Sequence, residues 1–165
     1  MITHIEPKWN VAEYQNLSCQ RTWHKDLKLN ETYVRSGHSR EMMTIYNRFE
    51  TEGLPESAEY IRQHFRDFDN VTLAVMLITP GHYLPLHWDL YGAYRRVFNT
   101  GDRRIFRAMI MLEDCYPGQI LQVGEETHGS WRAGAVFSWY DDVMHATYNF
   151  SQHDRWAVQV TGTER

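Results

Sequence analysis

Leu84-Pro85-Leu86-His87-Trp88-Asp89 closes an extended apolar run and sets an imidazole and a carboxylate two residues apart at its end. The residues around it read as strands. After Asn70 the chain offers Val71–Ile78, Tyr83–Trp88, Arg104–Leu112, Gln119–Val123, Thr127–Arg132, Ala135–Tyr140, Val143–Asn149 and Arg155–Thr161 as extended segments. Turn signals separate most of them: Pro80-Gly81, Asn99-Thr100-Gly101-Asp102, Pro117-Gly118 and Ala133-Gly134. Eight short strands at close spacing predict a mainly β domain, a sandwich or barrel.

Alternate side chains on a strand share a face, so each strand can be sorted. His87 pointing inward takes Pro85 and Tyr83 with it, and His145 shares a face with Thr147 and Asn149. Arg155 shares one with Ala157 and Gln159, opposite the apolar set Trp156, Val158 and Val160. Arg107 goes with Met109 and Met111, opposite Phe106, Ala108, Ile110 and Leu112. Polar groups inside a small β domain must find partners or cost a few kcal/mol. Their convergence predicts a wet, functional cavity.

Two imidazoles and one carboxylate on one face of a metal leave the opposite positions open, the arrangement suited to non-haem Fe(II). His87, Asp89 and His145 are the candidate ligands, and Arg155 offers a planar fork for a carboxylate-bearing guest. His-x-Asp by itself is weak, because a second instance, His24-Lys25-Asp26, lies in a polar run. That instance has no distal His and Arg to match it and is expected on the surface. His4, His38, His64, His82, His128 and His153 form no better set. His82 is the candidate support for the ligands.

Upstream, residues 1–31 are irregular, with Trp9, Tyr14 and Trp23 as anchors. Short extended pieces are expected at Thr32–Arg35 and Met42–Tyr46. A helix starts near Pro55 and runs to about residue 67, with Leu54, Ala58, Ile61, Phe65 and Phe68 as its buried stripe. Residues 1–70 thus read as a buttress and 71–162 as the core of one domain, and 165 residues suit a single core. The run from Tyr94 to Arg104 reads as a hairpin. Its arginines Arg95, Arg96, Arg103 and Arg104 either line the mouth of the cavity or, the favoured reading, solvate an edge strand.

Composition narrows the class. Apolar residues make up 42% and aromatics 14%, which fits a packed domain, and the net charge of −4 gives no footprint for nucleic acid. Cys19 and Cys115 stand in no metal-ligand spacing and build no disulfide framework. The sequence starts without a basic stretch followed by an apolar run and holds no long apolar segment, so a soluble, cytoplasmic protein away from membranes is expected.

Residues 71–162 resemble the Fe(II)/2-oxoglutarate-dependent dioxygenases, and within them the aspartyl/asparaginyl β-hydroxylase-like branch. The resemblance is carried by Thr79 to Asp89, by Arg107 to Leu112, by Ser130 to His145 and by Asn149 to Val160. It implies a double-stranded β-helix, or jelly roll, related to the cupins, with the upstream helix packed on an outer sheet face. It implies His87, Asp89 and His145 as iron ligands, Arg155 as the partner of the distal 2-oxoglutarate carboxylate, and Arg107 as a second co-substrate contact, with Arg104 close by. Fe(II), 2-oxoglutarate and O2 would then serve the hydroxylation of a C–H bond in a protein side chain, an amino acid or a small metabolite. The chain departs from the branch at Met109, where a His is common. The alternatives are a cupin-type metalloenzyme that does not use 2-oxoglutarate and a non-catalytic jelly-roll binding module.

Overall fold

A computed structural model describes residues 3–22 and 26–165. Its frame is a pair of antiparallel sheets. The larger has the order β1-β2-β3-β10-β5-β8 and the smaller β4-β9-β6-β7. The strands are β1 (Gln20–Thr22), β2 (Ile45–Phe49), β3 (Asp69–Ile78), β4 (Tyr83–His87), β5 (Ile105–Met111), β6 (Gln119–Val123), β7 (Glu126–His128), β8 (Val136–Tyr140), β9 (His145–Asn149) and β10 (Arg155–Thr163). Sequentially distant strands pair, β3 with β10 and β4 with β9, which is the wrapping of a jelly roll.

The larger sheet buries both faces, and side-chain alternation divides them as the sequence predicts. Phe106, Ala108, Ile110, Val158 and Val160 form one core with Leu73 and Val75 on the outer face. Met76, Ile78, Met109, Met111 and Ala157 form a second core on the inner face, with Leu84 and Leu121 of the smaller sheet. The outer core is closed by α3 (Ser57–Arg62) and the 3-10 turn after it, through Ala58, Ile61 and Phe65. Each fully buried Ile or Phe there contributes about 1.5–3 kcal/mol. Tyr14, from α1 (Val11–Gln15), is buried in the same core and its hydroxyl meets Ser57 Oγ at 2.9 Å. Trp9 donates to the Leu112 carbonyl at 3.0 Å. Trp9 and Tyr14 therefore anchor on the larger sheet, while Trp23 and His24 lie outside the described residues.

Four upstream and loop expectations change. Residues 1–31 are not irregular throughout, since α1 and β1 lie within them. Thr32–Arg35 is the end of α2 (Leu27–Arg35), not an extended piece. Asp26 caps that helix by accepting from the Leu29 amide at 3.0 Å, and the cap outweighs the extended preference of Thr32, Tyr33 and Val34. The strand expected at Met42–Tyr46 begins instead at Ile45, where pairing with β1 starts, and pairing with β3 follows from Tyr46. The expected hairpin at Tyr94–Arg104 is α4 (Gly92–Phe98) followed by a loop. Its Asn-Thr-Gly signal is a helix stop: Asn99 takes φ 48°, the left-handed conformation that asparagine tolerates after a last turn. Three of the four arginines hold loops together. Arg95 pairs with Asp141, Arg103 with Asp69 at 2.7 Å and Arg104 with Asp142 at 3.1 Å.

Candidate metal centre

The smaller sheet places the two histidines by a bulge. Leu84 pairs with Thr147 but His87 pairs with His145, so three steps of β4 span two of β9. The extra residue falls at Pro85-Leu86, where a proline cannot serve the ladder. A bulge of one residue swaps faces, so Leu84 and His87 both point inward. Tyr83 is turned out instead, stacking on Tyr148 at 5.8 Å and meeting His38 Nδ1 at 2.8 Å. The expectation that Tyr83 shares the face of His87 fails for this reason.

The bulge also orients the ring. His87 Nδ1 lies 2.6 Å from the Pro85 carbonyl oxygen, and His145 Nδ1 lies 3.3 Å from that of Val143. A carbonyl can only accept, so both Nδ1 atoms carry the proton and Nε2 of each ring is the candidate metal donor. Those Nε2 atoms converge on Asp89: His87 Nε2 is 3.6 Å from Oδ1 and His145 Nε2 is 3.6 Å from Oδ2. The three ligand atoms lie within 4.8 Å of one another. Neighbouring ligands on a first-row ion, with bonds of about 2.1 Å, sit about 3 Å apart, so the donor set fits a small divalent metal.

Asp89 is held from behind. Arg107 Nη2 donates to its Oδ2 at 2.9 Å, and the Tyr91 hydroxyl donates to the same oxygen at 3.0 Å. Burial works against the charge on Asp89, but Arg107 and the two imidazoles outweigh it and hold the carboxyl well below its usual range. Burial lowers the His145 pKa to about 4, against the pull of Asp89, so the imidazole is neutral and ready to bind at pH 7. Burial also pushes the Tyr91 phenol up, which keeps its proton in place as a donor.

Arg155 enters from β10 on the opposite wall and is 2% exposed. Its Nη1 donates to Thr147 Oγ1 at 2.6 Å and to the Ile120 carbonyl at 3.0 Å, while Nη2 reaches Met109 Sδ at 3.3 Å. The guanidinium lies 5.0 Å from the Trp131 ring, and Nε has no partner. Among the described residues no carboxylate lies within ion-pair distance of it. Burial lowers its pKa to about 10, which leaves it a cation at neutral pH. An uncompensated buried charge costs several kcal/mol, and an anionic guest beside it would offset that cost. Thr147, its partner, is two residues from His145 on the same face, about 7 Å along the strand.

The loop before β10 aims this arginine. Asn149 Nδ2 donates to the Ile78 and His153 carbonyls at 2.7 and 2.8 Å, and its Oδ1 accepts from Ser151. Trp139 completes the wall, 4.6 Å from the His145 ring, with an indole N–H that has no partner.

The structure thus brings His87, Asp89, His145 and Arg107 together, and it sets Arg155 against Thr147 on the strand that carries His145. Arg107 stands there as the partner of Asp89. Arg104 does not join them, being paired with Asp142 on the surface. His82 lies elsewhere, bonded to Thr79 Oγ1 at 2.8 Å and packed on Tyr46. Tyr91, Trp131 and Trp139 went unassigned in the sequence. Tyr91 alone left a signal there, as a polar aromatic two residues after Asp89.

No protein-family model matches the sequence, and no curated protein does. Solved structures do match in shape. A prolyl-4-hydroxylase from Pseudomonas putida superposes with a TM-score of 0.56 at 14% identity, over 94% of this chain and 97% of that one. A protein proposed to be a sugar phosphate isomerase, from Acidithiobacillus ferrooxidans, gives 0.52 at 10%, over 93% and 73%. A cupin domain from Schizosaccharomyces pombe gives 0.45 at 9%, over 73% and 65%. At these identities the likeness establishes the fold alone, a jelly roll of two antiparallel sheets.

Proposed function

We propose that the chain is an Fe(II)- and 2-oxoglutarate-dependent dioxygenase that hydroxylates a C–H bond of a protein side chain, an amino acid or a small metabolite. The observation that carries this reading is Arg155, a buried cation without a carboxylate, beside a His-Asp-His cluster. A metal alone gives that cation no partner. A dicarboxylate that reaches the metal with one end supplies it with the other.

In this reading His87 Nε2, His145 Nε2 and Asp89 hold the iron, and the Pro85 and Val143 carbonyls fix the imidazole tautomers. Arg155 grips the far carboxylate of 2-oxoglutarate, with Thr147 keeping the fork in place. Arg107 holds Asp89 in its charged form, and we extend its role to a contact with the metal-proximal end of the co-substrate. Leu84, Met109 and Trp139 are buried around these groups and exclude water. When bound, the iron supplies the activation of O2 that couples decarboxylation of 2-oxoglutarate, to succinate and CO2, with oxidation of the substrate. The prolyl-4-hydroxylase of the same fold is a hydroxylase by name, and the aspartyl/asparaginyl β-hydroxylase-like branch is the proposed affiliation. A cytoplasmic setting and a partner that is neither nucleic acid nor membrane belong to the same proposal. No helix among the described residues is long and apolar enough to cross a membrane.

Anaerobic titration tests the reading. Wild type should bind one Fe(II), and 2-oxoglutarate should then raise a visible metal-to-ligand absorption band. His87→Ala and His145→Ala should each lose most iron binding, with His24→Ala as the control. Iron without the band points to a cupin-type enzyme that does not use 2-oxoglutarate. Absence of iron binding points to a binding module.

A further inference from the structure

We propose that Tyr91 is a positioning residue that sets how Asp89 meets the metal: with Arg107 it occupies Oδ2 and leaves Oδ1 alone to coordinate. The inference rests on the metal centre proposed above and deepens it.

Three hydrogen bonds close a triangle. The Tyr91 hydroxyl donates to Asp89 Oδ2 at 3.0 Å, Arg107 Nη2 donates to the same atom at 2.9 Å, and Arg107 Nε donates to the Tyr91 hydroxyl at 3.1 Å. A carboxylate oxygen has two lone pairs, and both on Oδ2 are taken. Each oxygen faces one imidazole, Oδ1 at 3.6 Å from His87 Nε2 and Oδ2 at 3.6 Å from His145 Nε2, but neither donor touches Oδ1. The carboxylate is therefore set to bind through one oxygen.

The backbone carries an independent mark of the same role. Tyr91 sits at φ 43°, ψ 9°, a left-handed conformation uncommon for a bulky residue. That turn folds the chain back directly after Asp89 and returns the hydroxyl to the carboxylate two residues earlier. The guanidinium of Arg107 also lies 5.0 Å from the Tyr91 ring. Such a conformation persists where the surroundings over-determine it, and it collects at sites of function.

Single-oxygen binding has a consequence for the guests. An ion held by one atom each from His87, Asp89 and His145 would keep room for a chelating keto acid and one further ligand. A second Asp89 oxygen on the ion would take up part of that room.

The test compares wild type with Tyr91→Phe, which removes only the hydroxyl, and Tyr91→Gly, which removes the ring and relieves the left-handed backbone; folding of each is checked by circular dichroism. Anaerobic Fe(II) titration and an infrared difference spectrum, iron-loaded minus iron-free, are read on each. In wild type the carboxylate stretches that shift with iron should show the wide separation of a one-oxygen ligand. In both variants the separation should narrow as Oδ2 is released to chelate, and Fe(II) affinity should fall about 10- to 100-fold. A narrow separation in wild type, or wild-type spectra and affinity in both variants, overturns the assignment. Weaker binding with unaltered separation overturns it as well, because the hydroxyl then acts on the fold and not on the binding mode. Wild type that takes up no Fe(II) fails earlier, at the metal centre itself.

Discussion

Thr147 Oγ1 lies 2.6 Å from Arg155 Nη1, which ties the strand that carries the candidate ligand His145 to the cation on the opposite sheet. The bond spans the two sheets, one residue pair from His145. Thr147→Val keeps the shape and removes the acceptor, leaving Nη1 with the Ile120 carbonyl. A hydrogen bond to a buried charge contributes about 1.5–3 kcal/mol, so unfolding in urea should shift by that amount. Thr147→Ser should restore most of it. Equal stability of the valine variant and wild type would show that the contact adds nothing.

Acid should destabilise the iron-free protein through His145. Its folded pKa is about 4, against 6.5 for the free side chain, because burial disfavours the charged form. Above pH 6.5 neither state binds the proton and stability is flat. Below it the unfolded chain gains a proton that the folded chain refuses, so stability falls down to about pH 4, by up to about 3 kcal/mol. Asp89 acts in the same direction at lower pH. Its carboxyl is depressed when folded, so its contribution is present above the ordinary carboxylate range and is lost on acidification below it. Urea midpoints measured from pH 7 to pH 4 should decline in wild type and decline much less in His145→Gln. Parallel curves for the two would refute the assignment to His145.

The amino-terminal segment is joined to the core at Gly134. There φ is 87°, and an added Cβ would stand 2.1 Å from the Ile5 carbonyl oxygen, while the Ile5 amide donates to the Gly134 carbonyl at 2.9 Å. Gly134→Ala combines a left-handed backbone with a backbone collision. It should cost at least about 2 kcal/mol, seen as a lower denaturation midpoint, and should expose Trp9 and Tyr14 to solvent. Unchanged stability would mean that residues 3–7 can lift off without loss.

The strands were legible because alternation at Arg107, Met109 and Met111, and at Trp156, Val158 and Val160, is a local pattern with one physical cause, a sheet buried on both faces. The convergence of the candidate ligands was legible for a related reason: His87 ends β4, Asp89 follows two residues later and His145 opens β9, where the apolar pattern stops. Other features were hidden because they depend on partners distant in sequence. The bulge at Pro85-Leu86 is defined only against β9, although a proline in a strand is a hint of it. The helical state of Thr32–Arg35 depends on the cap at Asp26, and that of Gly92–Phe98 on the left-handed residues at its two ends. The pairing of Arg107 with Asp89 joins β5 to the end of β4, and strand periodicity gives a face for Arg107 but no partner.

The central claim is that Arg155 waits for the far carboxylate of 2-oxoglutarate, and one titration tests it most directly. Wild type and Arg155→Ala are loaded anaerobically with Fe(II), and the visible band is followed as 2-oxoglutarate is added. Loss of one partner from a buried charge pair costs about 2–5 kcal/mol, so Arg155→Ala should need about 30- to several thousand-fold more co-substrate while still holding iron. Arg155→Lys should fall between, with the charge kept and the planar fork lost. Superimposable titrations for Arg155→Ala and wild type would contradict the account.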